Sequence, residues 1–270
     1  MTDVSHDSFK MIALVIIFAV GMAGGLTALR ARSAEGTGLA FSIGGVFAGG
    51  IFLGAGLIHL LPDGIRALGE YFSDIDFPLG YLIAAVGFLL VLFIEEILFG
   101  NAHDRRPDAD GASPDHAHAA DSGLSAYALV VILSIHSMLA GAALGAEENL
   151  SGSFVIFIAI IAHKGAAGFA LMLDFQRATF ERAKSVRMLV LFSSMTPLGV
   201  IIGSGLDSVL HEGYGPLLEG MFDTLAAGTF LYVAIVEIIG KEFTDRRAVM
   251  PKFAALCLGL ALMAVIALFV

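Results

Sequence analysis

Two stretches decide how this chain folds: Ile135-His136-Ser137-Met138-Leu139-Ala140-Gly141-Ala142-Ala143-Leu144-Gly145, and soon after it Ala162-His163-Lys164-Gly165-Ala166-Ala167-Gly168-Phe169-Ala170-Leu171. Each lies within an apolar run long enough to cross a bilayer, which takes about 20 residues. Each run carries a histidine near its middle, and the second adds a lysine. An ionisable side chain at that depth is costly, about 2.5–3.5 kcal/mol for a lysine at a helix centre, so it faces a cavity or a partner and marks a functional path by default.

Working outward, the same apolar texture covers the chain. Of 270 residues, 57% are hydrophobic and only 15% are charged, against about a quarter charged in soluble domains. Mean hydropathy is +0.87. Eight spans are predicted, over Phe9–Leu29, Leu39–Leu61, Pro78–Leu98, Leu124–Gly145, Ser153–Leu173, Met188–Leu206, Pro216–Gly240 and Pro251–Val270. The expected fold class is therefore an all-α membrane protein, with residues 1–270 forming a single membrane domain. The acidic leading segment (Asp3, Asp7) before a full-length span does not read as a cleavable signal. Cys257 is the single cysteine, so no internal disulfide can form. A net charge of −10 is not that of a nucleic-acid binder. There is no Trp, which leaves Tyr, Phe, Lys and Arg to set helix depth at the interfaces.

Charge placement sets an expected orientation. Arg30, Arg32, Arg105, Arg106, Arg177, Arg182, Lys184, Arg187, Lys241, Arg246, Arg247 and Lys252 fall in alternate loops, and the opposite loops hold only Lys10 and Arg66. By the positive-inside rule both termini are outside. The outer loops then carry Asp63, Glu70, Asp74, Asp76, Glu147, Glu148, Asp207, Glu212 and Glu219. Such a mouth either gathers cations or simply follows from the orientation bias. The segment 99–123, which holds His103, His116 and His118, reads as a disordered cytoplasmic loop, with the pair His116-x-His118 offering at most a transient metal contact.

His136 and His163 lie at similar depths on successive helices, where imidazole suits Zn²⁺, Fe²⁺, Cu²⁺ and Ni²⁺. Residues eleven apart on a helix point nearly the same way, because eleven steps of ~100° miss three turns by about 20°. Glu147 therefore shares a face with His136, toward the outside, and Asp174 shares one with His163, toward the cytosol. The expected polar lane runs Glu147, His136 and His163, Asp174. His59, Asp63 and Asp223 are candidates for the outer vestibule, with Glu95, Glu96 and Glu237 for the inner exit. Glu237 sits roughly 13 Å beyond the middle of its span, which suits an exit or helix-locking residue.

The two opening stretches resemble the ZIP family of divalent-metal transporters, in its branch with His-Ser in the fourth helix and His-Lys in the fifth. Further resemblance lies in His59-Leu60-Leu61-Pro62-Asp63, in Gly87-Phe88-Leu89-Leu90-Val91-Leu92-Phe93-Ile94-Glu95, in Ser194-Met195-Thr196-Pro197-Leu198-Gly199, and in Gly228-Thr229-Phe230-Leu231-Tyr232-Val233 with Glu237 after it. The resemblance covers the whole chain. It implies a three-plus-two-plus-three helix arrangement with an inverted repeat, a metal site between helices four and five, a homodimer and an elevator-like movement.

The sequence departs from that pattern at Ala140, where the branch carries glutamate, at Ala167, where other branches carry a carboxylate or histidine, and at Lys164, where they carry an acid. The local ligand set is then His136 and His163, with Ser137, and holds no carboxylate. Water or a carboxylate from elsewhere would complete it, since a dication with only neutral ligands beside a lysine is expensive. Lys164 either occupies the place of a second cation or extends to a backbone carbonyl or carboxylate and locks helix five.

The expected function is transport of a divalent transition metal, zinc foremost, into the cytoplasm. The only partners expected are the metal, the bilayer of the plasma or inner membrane and a second copy. No nucleic acid and no tightly bound cofactor are expected, and no nucleotide-binding Gly-rich loop is present. Two other readings stay open: a degenerate or metal-sensing member that binds without transport, favoured by Ala140, and an intramembrane metallohydrolase, which lacks a third ligand and a general base.

Overall fold

The computed structural model describes residues 6–31, 38–74, 76–99, 114–209 and 214–269. Most of the expected loop 99–123 lies outside them. His103 is not among the described residues, and of His116 and His118 only the backbone is, in a helix that begins at Pro114.

Eight helices long and apolar enough to cross a membrane are present among the described residues. They are α1 (His6–Ala31), α2 (Gly38–Tyr71), α3 (Leu79–Leu92, continued by a π-helical turn Phe93–Phe99), α4 (Pro114–Ala146), α5 (Leu150–Arg177), α6 (Arg182–Val209), α7 (Gly215–Gly240) and α8 (Val249–Ile266). An even number of crossings puts the start of α1 and the end of α8 on one face. That face carries Asp63, Glu147, Glu148 and Glu219 and is called the acidic face below. The basic face carries Arg30, Arg177, Arg182, Lys241 and Arg247.

The second span is longer than the apolar run predicts. It continues past Leu61 to Tyr71, so Asp63, Arg66 and Glu70 stand on a helix rather than in a loop. This extension is amphipathic, with Gly64, Ala67 and Leu68 buried and Arg66 and Glu70 on the opposite side. Pro62 would ordinarily break a helix, because it lacks the N–H and its ring crowds the preceding turn. Here the preceding turn, Ala55–Leu60, is π-helical, and its wider ladder accommodates the proline.

The helices pack in a pattern that repeats itself. α1 lies on α5 and α6 on α4; α2 lies on α8 and α7 on α3; α2 touches α5 and α7 touches α4. Exchanging α1 with α6, α2 with α7, α3 with α8 and α4 with α5 maps this pattern onto itself. Each exchanged pair runs in opposite directions through the membrane, so the two three-helix units are an inverted repeat flanking α4 and α5.

The same packing divides the molecule into two groups, α1, α4, α5, α6 and α2, α3, α7, α8. They meet mainly where α4 lies on α7 and α5 on α2. Within the groups the helices approach to backbone contact. A Cβ on Gly141 would strike the Thr196 carbonyl across α4 and α6, and one on Gly199 would strike the Met138 carbonyl. In lipid, where no hydrophobic drive pulls helices together, such close approach supplies the association.

Candidate metal site

His136 and His163 project from α4 and α5 into the seam between the two groups, and each is only 2% exposed. Their ring centres are 5.7 Å apart at 70°. Two imidazoles sharing one tetrahedral ion at ~2.1 Å place their ring centres about 5 Å apart, so a small closure would let both bind. His136 Nε2 and His163 Nδ1 are buried without a hydrogen-bond partner. Buried polar atoms are normally satisfied, and a bare nitrogen on each of two neighbouring imidazole rings suits a metal ion as the missing partner.

The rings are held by α7. His136 stacks on Phe230 with centroids 3.4 Å apart, and its Nδ1 lies 3.0 Å from Thr229 Oγ1. His163 meets the same Phe230 ring edge-on at 4.8 Å. Phe52 of α2 stacks on the far side at 4.9 Å.

A cavity of about 560 Å³ leads from the loops of the acidic face to His163. His59, Asp63, Glu147, Glu219 and Asp223 line it, and so does Ala140. His59, in the π-helical turn of α2, pairs through Nδ1 with Asp63 at 2.7 Å, and Asp63 pairs with Arg66 at 3.1 Å. Asp223 of α7 is 4% exposed. Glu147 also orders the loop ahead of α5, where its carboxylate accepts the Asn149 N–H at 2.7 Å. Glu219 faces this cavity too, although its sequence position marks it only as another outer acid. The signal that places it is its spacing from Asp223, four residues on the same helix.

Lys164 points the other way, into its own helix group. Its Nζ donates to Ser137 Oγ at 2.9 Å and Thr196 Oγ1 at 2.8 Å, and lies 3.9 Å over the Phe192 ring. Ser137 thus serves the lysine in this arrangement. Pro197 follows Thr196 inside α6, and a helix proline leaves a carbonyl without its N–H, so the local ladder is already open where the lysine docks.

Toward the basic face the seam is shut. Asp174 and Glu237 line a space of about 20 Å³, roughly enough for one water. Glu237, in the π-helical turn of α7, pairs with Lys241 at 2.5 Å, while its Oε1 and the Asp174 Oδ2 have no hydrogen-bond partner. Glu95, in the π-helical turn of α3, accepts the Tyr232 hydroxyl at 2.8 Å. Glu96 is exposed. Below these, Glu242 accepts from Arg177 and Ser42, joining α5 to α2 just beyond the end of α7. Among the described residues no three His, Cys, Asp or Glu side chains converge closely enough to hold one ion.

A family model described as "ZIP Zinc transporter" matches residues 7–121 and 101–267. The chain belongs to the ZIP zinc transporter family. Zinc transporter ZIP1 of Homo sapiens is 31% identical over 253 residues, covering 83% of this chain and 77% of that protein. Zinc transporter ZIP1 of Mus musculus is 32% identical with the same coverage. Zinc transporter ZIP2 of Homo sapiens is 27% identical over 263 residues, covering 83% and 84%. With its eight spanning helices, this ZIP protein is a multi-pass integral membrane protein.

Proposed function

We propose that this ZIP chain carries a divalent transition-metal cation, zinc foremost, across the membrane into the cytoplasm. The observation that carries the reading is the pair of facing, buried imidazole rings, each with an unpartnered nitrogen, of which His163 lines the cavity that opens on the acidic face. Cations gather among Asp63, Glu219 and Asp223, shed water, and pass to His163 and His136. A carboxylate from α7 supplies the charge that Ala140 does not, since two neutral imidazoles leave a dication uncompensated, and retained water fills the remaining coordination positions. The positive-inside rule puts the acidic, open face outside. Glu147 belongs to the entrance. Asp174 and Glu237 form the way out, reached when the seam opens on the basic face. Ser137 and Lys164 support the site by bracing α4, α5 and α6 together.

The two helix groups favour an elevator-like step in which α1, α4, α5 and α6 slide against α2, α3, α7 and α8. Both histidines ride on the sliding group, so a bound ion changes face with it. No nucleotide and no resident cofactor take part, and the chain is not an enzyme. A second copy in the membrane would anchor the static group.

Flux of radiozinc into proteoliposomes tests this. Wild-type protein is expected to take up zinc without ATP, and His136→Ala and His163→Ala are expected to lose it. A second reading follows from Ala140 facing the cavity and from the absence of a three-ligand cluster among the described residues: a member that binds metal without moving it. Metal binding with no flux in wild-type vesicles would select that reading.

A further inference from the structure

His136 Nδ1 faces two atoms of α7, Thr229 Oγ1 at 3.0 Å and the Ala226 carbonyl oxygen at 3.3 Å. The Thr229 hydroxyl is itself committed, donating to that same carbonyl at 2.7 Å. A hydroxyl has one proton to give and two lone pairs, and a carbonyl has only lone pairs. With the hydroxyl proton on the carbonyl, both atoms near the ring are acceptors. Nδ1 must therefore carry the imidazole proton, and Nε2 must carry the lone pair. Nε2 is the buried ring nitrogen that has no partner.

We infer that Thr229 is a positioning residue, which fixes His136 as the Nδ1–H tautomer and so turns the basic Nε2 toward the transported cation. This rests on the reading of His136 as a metal ligand. Thr229 has no exposed surface, so no water competes for the ring proton. The Phe230 ring, stacked at 3.4 Å, holds the imidazole plane while Thr229 holds its rotation. Metal-bound histidines generally donate their second ring N–H to such a partner, which sets tautomer and orientation. The arrangement also crosses the seam, with the histidine on α4 and its holders on α7. The contact is between neutral groups, so sliding one helix past the other breaks it without stranding a charge.

The test is made on full-length protein in lipid nanodiscs, labelled with ¹⁵N-histidine and free of metal. The His136 signals are assigned by their loss in His136→Gln. Wild type is expected to show Nδ1 protonated and Nε2 bare. Thr229→Val is expected to lose that single tautomer and to raise the zinc KM of uptake roughly ten- to a hundredfold, the usual loss when an outer-shell partner is removed, with the maximal rate per folded protein held. Thr229→Ser keeps the hydroxyl and is expected to restore both ring and KM. A wild-type ring protonated at Nε2 would overturn the assignment, as would a Thr229→Val protein with ring and KM unchanged. Uptake that survives His136→Ala would instead overturn the ligand reading, whatever the ring spectrum shows.

Discussion

Lys164 leaves bulk water for two hydroxyls and the face of a phenyl ring. Its length, as much as its charge, fills the space between α1, α4 and α6, since a Cβ on Gly21 would already touch its Cε. Lys164→Ala is expected to lower stability by about 2–4 kcal/mol through the cavity it leaves. Lys164→Met keeps the length and is expected to cost less than ~1.5 kcal/mol. Thermal unfolding in detergent checks the order, and equal losses would show that the charge dominates. At this scale the sequence announces which residues are unusual but not which way they face. His136 and Lys164 are both conspicuous as polar groups in apolar runs, yet one faces the seam and the other a hydroxyl pair inside its own group. The hydroxyl partners Thr196 and Thr229 lie in stretches that carry the family resemblance, but their roles are not legible there, because a threonine in a membrane helix commonly satisfies itself on its own backbone.

Helices are legible wherever the apolar run is unbroken. The extension of α2 to Tyr71 escapes that reading because its charges resemble a loop and Pro62 resembles a stop. Only the burial of Gly64, Ala67 and Leu68 against α7 explains it. The glycines behave similarly: their abundance signals close packing, but only the pairing of helices says which ones bear it. Gly228→Ala would drive a methyl into the Ala84 carbonyl, whereas a Cβ on Gly69 meets nothing within 4 Å. The first is expected to destabilise by about 1–3 kcal/mol. The second is expected to be neutral or to stabilise by up to ~1 kcal/mol, as glycine costs a helix about that much. Thermal stability of the two variants, compared with wild type, reads this directly. The two basic residues that break the charge bias also find their reasons here. Lys10 donates to the Gly145 and Glu147 carbonyls at the end of α4, favourable for a cation at a helix C-terminus, and Arg66 pairs with Asp63.

For the whole molecule, one side of the seam is open to a cavity of about 560 Å³ and the other is closed around about 20 Å³. Arg177 reaches across the closed side from α5 to Glu242, which also takes the Ser42 hydroxyl and stands near Lys252. Glu242 is 6% exposed, so removing its charge should leave Arg177 without its partner and loosen that end. With Cys257 replaced by alanine, a Leu173→Cys probe on the closed side is expected to be alkylated several-fold faster in a Glu242→Gln background; an unchanged rate would show that the ion pair does not hold the seam. The inverted repeat is invisible to hydropathy, since it lives in which helices touch. The family resemblance implies it, and the packing of α1 on α5 and α6 on α4 displays it.

Transport by this route requires one ion to pass between the rings of His136 and His163. Crystals soaked with zinc or cadmium, with diffraction recorded at the metal's absorption edge, measure this most directly. The prediction is an anomalous peak within ~2.1–2.4 Å of one nitrogen of each ring, absent in His136→Ala. A peak held only by the carboxylates of the outer cavity, with both imidazoles still bare at full occupancy there, would contradict it.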